Sequence, residues 1–239
     1  MSMLTSGIKR SLKKVIYTGN KCYCPICETS LRQFYPAGIV PRENARCPVC
    51  GSLERHRMIW LYLNHETDLF VSRQKKMLHI APESFFTDKL SKCSYIEYLS
   101  ADIINPAAMV KMDITDIKYP DNSFDVIYCS HVLEHVPDDQ TAMKELARVL
   151  SPKGWAILQV PIDTDQTFED PTITDPQERE RLFGQSDHVR VYGLDYKDRL
   201  EAAGFQVKVV PYLAQFDVSD KHRYGLGIDR DDIYFCQLR

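Results

Sequence analysis

The sequence predicts an α/β fold, a mostly parallel seven-stranded sheet with helices on both faces, preceded by a small metal-braced segment. Three observations carry this. From residue 76 onward short apolar runs alternate with helical stretches, the pattern of a sheet covered by crossover helices. Before that point, five of the eight cysteines crowd between Cys22 and Cys50. The chain has 239 residues, 44% hydrophobic and 26% charged, which excludes global disorder and gives room for one sizeable core with an appendage. The expected division is 1–51 for a basic segment and ribbon, 52–75 for a linking helix, and 76–239 for the main domain.

The N-terminal part is basic. Residues 1–57 carry ten Lys and Arg against three Glu, whereas residues 58–239 carry 20 basic and 30 acidic side chains. Such asymmetry suggests two different surfaces, or simply a solvated basic tail. The start of the chain lacks the apolar core of a signal peptide, and the run Met58 to Leu63 is far too short to span a membrane. The expected location is cytoplasmic, with no membrane partner. No oligomeric state is implied.

Cys24-Pro-Ile-Cys27 and Cys47-Pro-Val-Cys50 are two Cys-x-x-Cys pairs separated by 19 residues. A two-residue gap lets both thiolates of a pair face one ion, and two pairs complete a tetrahedral thiolate shell suited to Zn2+. A dithiol redox centre needs only one such pair beside a βαβ unit. Cys22 is too close to Cys24 to join and reads as a spectator. Gly51 follows the second pair, where a tight turn is easiest for glycine. So short a segment with few apolar groups draws its folding energy from the metal. Tyr23, Phe34 and Tyr35 lie among Lys21, Arg32, Arg42 and Arg46, a mixture that can bind phosphate and stack bases, or merely pack.

Ser52 is placed as the cap of a helix running to about His65. Strands are expected at Met77–Ala81, Tyr95–Ala101, Met109–Met112, Phe124–Cys129, Trp155–Val160, Phe205–Val210 and Ile233–Leu238. Helices are expected at Ser84–Lys92, from Asp138 or Asp139 to a stop at Pro152 and Gly154, and at Tyr196–Ala203. Ligands in such sheets bind beyond the carboxyl ends of the strands. Asp102 and Asp113 stand at two successive ends, where carboxylates can accept hydrogen bonds from a nucleoside. Either aspartate alone is more often a turn cap.

The run from Asp113 through Ser123-Phe-Asp125 to His131-Val-Leu-Glu-His135, continued by Glu145-Leu-Ala-Arg-Val-Leu-Ser-Pro-Lys-Gly154, resembles the central motifs of class I S-adenosylmethionine-dependent methyltransferases, and most of all their type 11-like group. The resemblance covers roughly residues 76–165 and implies a Rossmann-like sheet and S-adenosyl-L-methionine as cofactor. It also implies that Asp102 holds the ribose hydroxyls, that Asp113 and Ile114 hold the adenine, and that Ser130 and His131 line the methyl-transfer pocket. One departure stands out. The family's first strand ends in a glycine-rich loop, and here the stretch is His79-Ile-Ala81-Pro-Glu83-Ser-Phe-Phe86, with no glycine. His79, Ala81 and Glu83 are therefore placed on the cofactor, with Glu83 expected to meet its ammonium group.

Because a neutral imidazole is available near pH 7, His131 is the candidate catalytic base, the alternative being that it only shapes the pocket. His188, Arg190 and Tyr192 alternate after a polar loop, so an extended segment puts them on one face, where Arg190 could hold an anionic acceptor or pair with Glu169, Asp170 or Glu178. Three functions compete: transfer to a small-molecule acceptor such as a sugar or glycan precursor; transfer to RNA with the ribbon as clamp; and a non-catalytic zinc-ribbon module on a degenerate methyltransferase fold.

Overall fold

The structure is a computed structural model that describes residues 2–38, 40–71, 73–227 and 232–239. In chain order its elements are α1 (Ser2–Tyr17), β1 (Thr18–Cys24), β2 (Thr29–Leu31), β3 (Tyr35–Ala37), β4 (Arg42–Arg46), α2 (Glu54–His65), β5 (Lys75–Ile80), α3 (Ser84–Leu90), β6 (Ile96–Asp102), β7 (Val110–Lys111), β8 (Phe124–Ser130), α4 (Asp139–Val149), β9 (Leu150–Gln159), β10 (Ile162–Thr164), β11 (Phe168–Glu169), α5 (Pro176–Phe183), β12 (Arg190–Gly193), α6 (Tyr196–Ala202), β13 (Phe205–Val210), α7 (Val218–Tyr224) and β14 (Ile233–Leu238). They gather into two compact units. The first comprises Met1–Val71, Ser84–Lys89 and Pro211–Asp232; the second comprises Ser72–Glu83, Leu90–Val210 and Ile233–Arg239. Neither is contiguous, which differs from the expected simple division, because residues 84–89 and 211–232 fold with the N-terminal part.

The second unit is built on a seven-stranded sheet in the order β13-β14-β9-β8-β5-β6-β7. Strands β7, β6, β5, β8 and β9 run parallel, and β14 is antiparallel to both β9 and β13. Leu78, Ile80, Ile127, Cys129, Ala156 and Leu158 form one buried face with Ala142, Met143 and Leu146 of α4 and Tyr196 and Leu200 of α6. The alternate residues Met77, His79, Val126, Tyr128 and Ile157 are buried on the other face. Double burial explains why these strands read as continuous apolar runs. A smaller sheet, β10-β12-β11, follows.

Two expectations shift. Pro152 and Gly154 do not end α4 but lie within β9, which begins at Leu150 directly after the helix. Its pairing with β8 slips between Phe124↔Leu150 and Val126↔Trp155, and this bulge accommodates the two helix breakers. Ser52 does not cap α2. The cap residue is Leu53, whose N–H donates to His56 Nδ1 at 3.0 Å, while Ser52 turns to the cysteine cluster.

Candidate active site and metal centre

Parallel strands bring their carboxyl ends to one edge, and the chain reverses its lateral direction at β5, with β6 on one side and β8 on the other. Ligands of open α/β sheets bind at such a switch point. The residues leaving β5 and β8 there are unusual. Ala81 has φ +50° and His131 φ +55°, the left-handed region that favours glycine. Ala81 donates its N–H to Ala101 O at 2.9 Å, and His131 donates to Gln159 O at 2.8 Å. The glycine-free loop therefore keeps a glycine-like backbone at Ala81, on the smallest side chain that still carries a Cβ.

Asp102 closes β6. Its Oδ1 accepts from the N–H groups of Ile104 and Asn105 at 2.7 and 2.8 Å, which fixes the carboxylate and leaves Oδ2 outside those bonds. Asp113, exposed beyond β7, uses Oδ1 for Thr115 in the same way. Ile114 is buried. Ser130 ends β8, half-buried beside His131.

His79 needs a correction. It is wholly buried, with Nδ1 2.9 Å from the Tyr98 hydroxyl and Nε2 2.8 Å from Glu83 Oε2. Such a ring does not touch a ligand; it positions Glu83. Arg190 and Tyr192 are corrected too. With His188 they do alternate on one face, but the face is buried. Arg190 donates to the carbonyls of Leu133, Val136 and Pro137 at 2.9, 2.5 and 2.8 Å and to Glu169 at 2.7 Å. Tyr192 donates to Asp139 at 2.6 Å, and burial, reinforced by that carboxylate, pushes its hydroxyl far above the usual tyrosine range. Both side chains clamp the turn after β8, Arg190 with four of its five N–H donors and Tyr192 with its hydroxyl.

In the first unit the Sγ atoms of Cys24, Cys27, Cys47 and Cys50 all lie within 4.8 Å of one another. The Cys24–Cys50 and Cys27–Cys47 separations are 3.7 and 3.8 Å. A tetrahedron with metal–sulfur bonds of about 2.3 Å has edges of about 3.8 Å, whereas a disulfide would need about 2 Å. Cys22 is buried outside this cluster. Hydrogen bonding among the thiols, first from Cys27, holds Cys24 well below the usual thiol range; bonding to Cys24 pushes Cys27 and Cys47 well above it. A divalent cation bound among them would let all four ionise together. The Ser52 hydroxyl lies 3.2 Å from Cys50 Sγ and Thr29 Oγ1 lies 3.3 Å from Cys27 Sγ, in reach of a thiolate. Gly51, at φ +83°, makes the expected turn.

Arg57, singled out by no sequence signal, is wholly buried behind this cluster. It donates to the carbonyls of Ser52, Ala45 and Tyr224 at 2.7, 2.9 and 2.7 Å and to that of Gly225, and its guanidinium lies 4.0 Å over the Phe34 ring. Burial lowers its pKa while the cysteine charges oppose that shift. Only glycine fits at 225, where a Cβ would come within 2.4 Å of the Phe34 ring.

Residues 68–158 match the family described as "Methyltransferase domain". A stretch of 47 residues is 45% identical to sterol 24-C-methyltransferase of Aspergillus fumigatus, covering 20% of this chain and 12% of that enzyme. An S-adenosylmethionine-dependent methyltransferase from Mesorhizobium loti is 15% identical with a TM-score of 0.49, over 75% of this chain and 97% of the other. One from Archaeoglobus fulgidus is also 15% identical with a TM-score of 0.49, over 77% and 94%. Among the described residues no helix is long and apolar enough to cross a membrane.

Proposed function

We propose that this chain, a class I S-adenosylmethionine-dependent methyltransferase by its central domain and sheet order, methylates a small hydroxyl-bearing molecule such as a sugar, and that zinc closes its four-cysteine cluster. The observation that carries the first reading is the pair of fixed carboxylates, Asp102 and Asp113, at consecutive strand ends beside the left-handed turns at Ala81 and His131. When bound, the cofactor supplies a methyl group already activated on a sulfonium. The protein's part is orientation and exclusion of water. Asp102 Oδ2 accepts from the ribose diol, Asp113 and the backbone of Ile114 meet the adenine, and Glu83, steadied by His79, offers its carboxylate to the ammonium. Ser130 and His131 face the acceptor, and His131 takes the hydroxyl proton.

A small acceptor is favoured over RNA by the acidity of residues 58–239, which would repel phosphates. Calorimetric titration with S-adenosylmethionine tests the cofactor assignment. Hydrogen bonds to a charged group are worth roughly 1.5–3 kcal/mol, so Asp102→Ala should bind at least about tenfold more weakly. Equal affinities would remove Asp102 from the site. Tight, salt-sensitive binding to RNA by the full chain would instead favour the clamp reading.

A further inference from the structure

Three side chains that the methyl-transfer reading leaves unused converge on the turn after β8. Glu134 is 1% exposed, and neither of its carboxylate oxygens has a hydrogen-bond partner among the described residues. His131 brings Nδ1 to 3.2 Å from its Oε1 without the alignment of a hydrogen bond. His188 is 6% exposed and sets Nδ1 3.0 Å from the carbonyl of Phe183. The proton therefore sits on Nδ1, and Nε2 presents a lone pair; that nitrogen is buried and equally without a partner. His135 lies edge-on to His188, ring centres 4.7 Å apart, with its Nδ1 3.2 Å from the carboxylate of Asp187. One ligand-capable atom from each of Glu134, His135 and His188 lies within 4.8 Å of the others.

Proteins seldom bury a carboxylate and an imidazole lone pair side by side with no donor for either. Here rigid partners enforce the arrangement. Val189 N–H donates to Glu134 O at 2.9 Å, and Arg190 binds the carbonyls on both sides of the Glu134-His135 pair. A carbonyl on the far nitrogen of His188 is also how metal-binding histidines are usually oriented. We propose that Glu134, His135 and His188 bind a divalent first-row transition-metal ion, separate from the cysteine cluster. Two imidazoles and one carboxylate suit such ions rather than calcium or magnesium, and three protein ligands leave at least one coordination position open. That the open position receives an acceptor oxygen rests on the methyl-transfer reading; the binding of metal does not.

The test uses the full chain with its cysteine cluster loaded with zinc, titrated with Co2+ while visible absorption and melting temperature are followed. About one cobalt ion per chain should bind, with weak bands typical of nitrogen and oxygen ligands and a raised melting temperature. Glu134→Gln and His188→Gln should each weaken binding by at least about tenfold. Without cobalt, Glu134→Gln should melt no lower than the wild type, since the amide keeps the shape of a side chain whose oxygens accept no hydrogen bond, so loss of binding there is not loss of fold. The proposal is overturned if the folded protein binds no cobalt, if the ion shows the intense bands of thiolate ligation, or if both variants bind as tightly as wild type. Titration with S-adenosylmethionine on the same sample separates the two readings: cobalt binding without cofactor binding sinks only the methyltransferase assignment, and the converse sinks only this one.

Discussion

Ala81 shows how one residue can stand in for a glycine-rich loop. At φ +50° an L-residue is strained by roughly 1–2 kcal/mol relative to the right-handed region. Alanine bears this because its side chain ends at Cβ. A β-branched residue would not, so Ala81→Val should lower unfolding free energy by about 2 kcal/mol or more, while Ala81→Gly should be neutral or slightly stabilising. Urea denaturation of both variants decides; a neutral valine would mean that the turn relaxes freely. Glu83 belongs to the same loop. Glu83→Gln keeps the shape and loses the charge, so it should weaken S-adenosylmethionine but leave an amine-lacking analogue unaffected. Equal weakening of both would show that Glu83 only shapes the loop with His79.

At the scale of elements, the turn between β8 and α4 depends on β12. Arg190 places its planar fork on three carbonyls and one carboxylate, which the point charge of lysine cannot reproduce. Arg190→Lys should therefore destabilise the protein by roughly 2–4 kcal/mol and slow methyl transfer, because the turn carries His131. Unchanged stability by chemical denaturation would show that the fork is dispensable. The same elements show how much was legible beforehand. All seven strands of the main sheet and helices α4 and α6 were readable, since the largely buried β5, β8 and β9 are near-continuous apolar runs and α4 has an apolar stripe behind its Asp138 cap, although the breakers expected to stop it lie in β9. Asp102 and Asp113 could be found because strand ends are where the fold puts ligands. The Arg190–Glu169 pair was among the partners the sequence offered, but the carbonyls that Arg190 binds and the Asp139 that Tyr192 meets were not, because alternation gives a shared face without saying what lies against it. Glu134 and His188 are 54 residues apart in sequence, and nothing in local pattern announces that distance closing. α5, α7 and the short strands β10 and β11 escaped for a different reason: they are too short or too polar for periodicity to show.

At the scale of the whole molecule, the first unit draws on three separate stretches of chain. Arg57 joins the cysteine-bearing stretch to residues 211–232 by donating to Tyr224 and Gly225 while also holding Ser52 and Ala45. With the proposed ion, four thiolates would carry a net charge near −2, and the buried guanidinium behind them would offset part of it. Removing the proposed metal would let the thiols reprotonate and leave Arg57 buried without that counter-charge. The hairpins β1-β2 and β3-β4 are too small to hold themselves together. The apolar core of the second unit contains none of the clustered cysteines. Strong chelation of the full chain should therefore release amide protection in residues 18–52 and 211–227 together, while β5, β6, β8 and β9 exchange as slowly as before. Hydrogen exchange read by mass spectrometry reports both regions in one experiment. If 211–227 stayed protected while the ribbon opened, Arg57 would not be the link between them; if the sheet strands opened at the same chelator concentration, the two units would unfold as one.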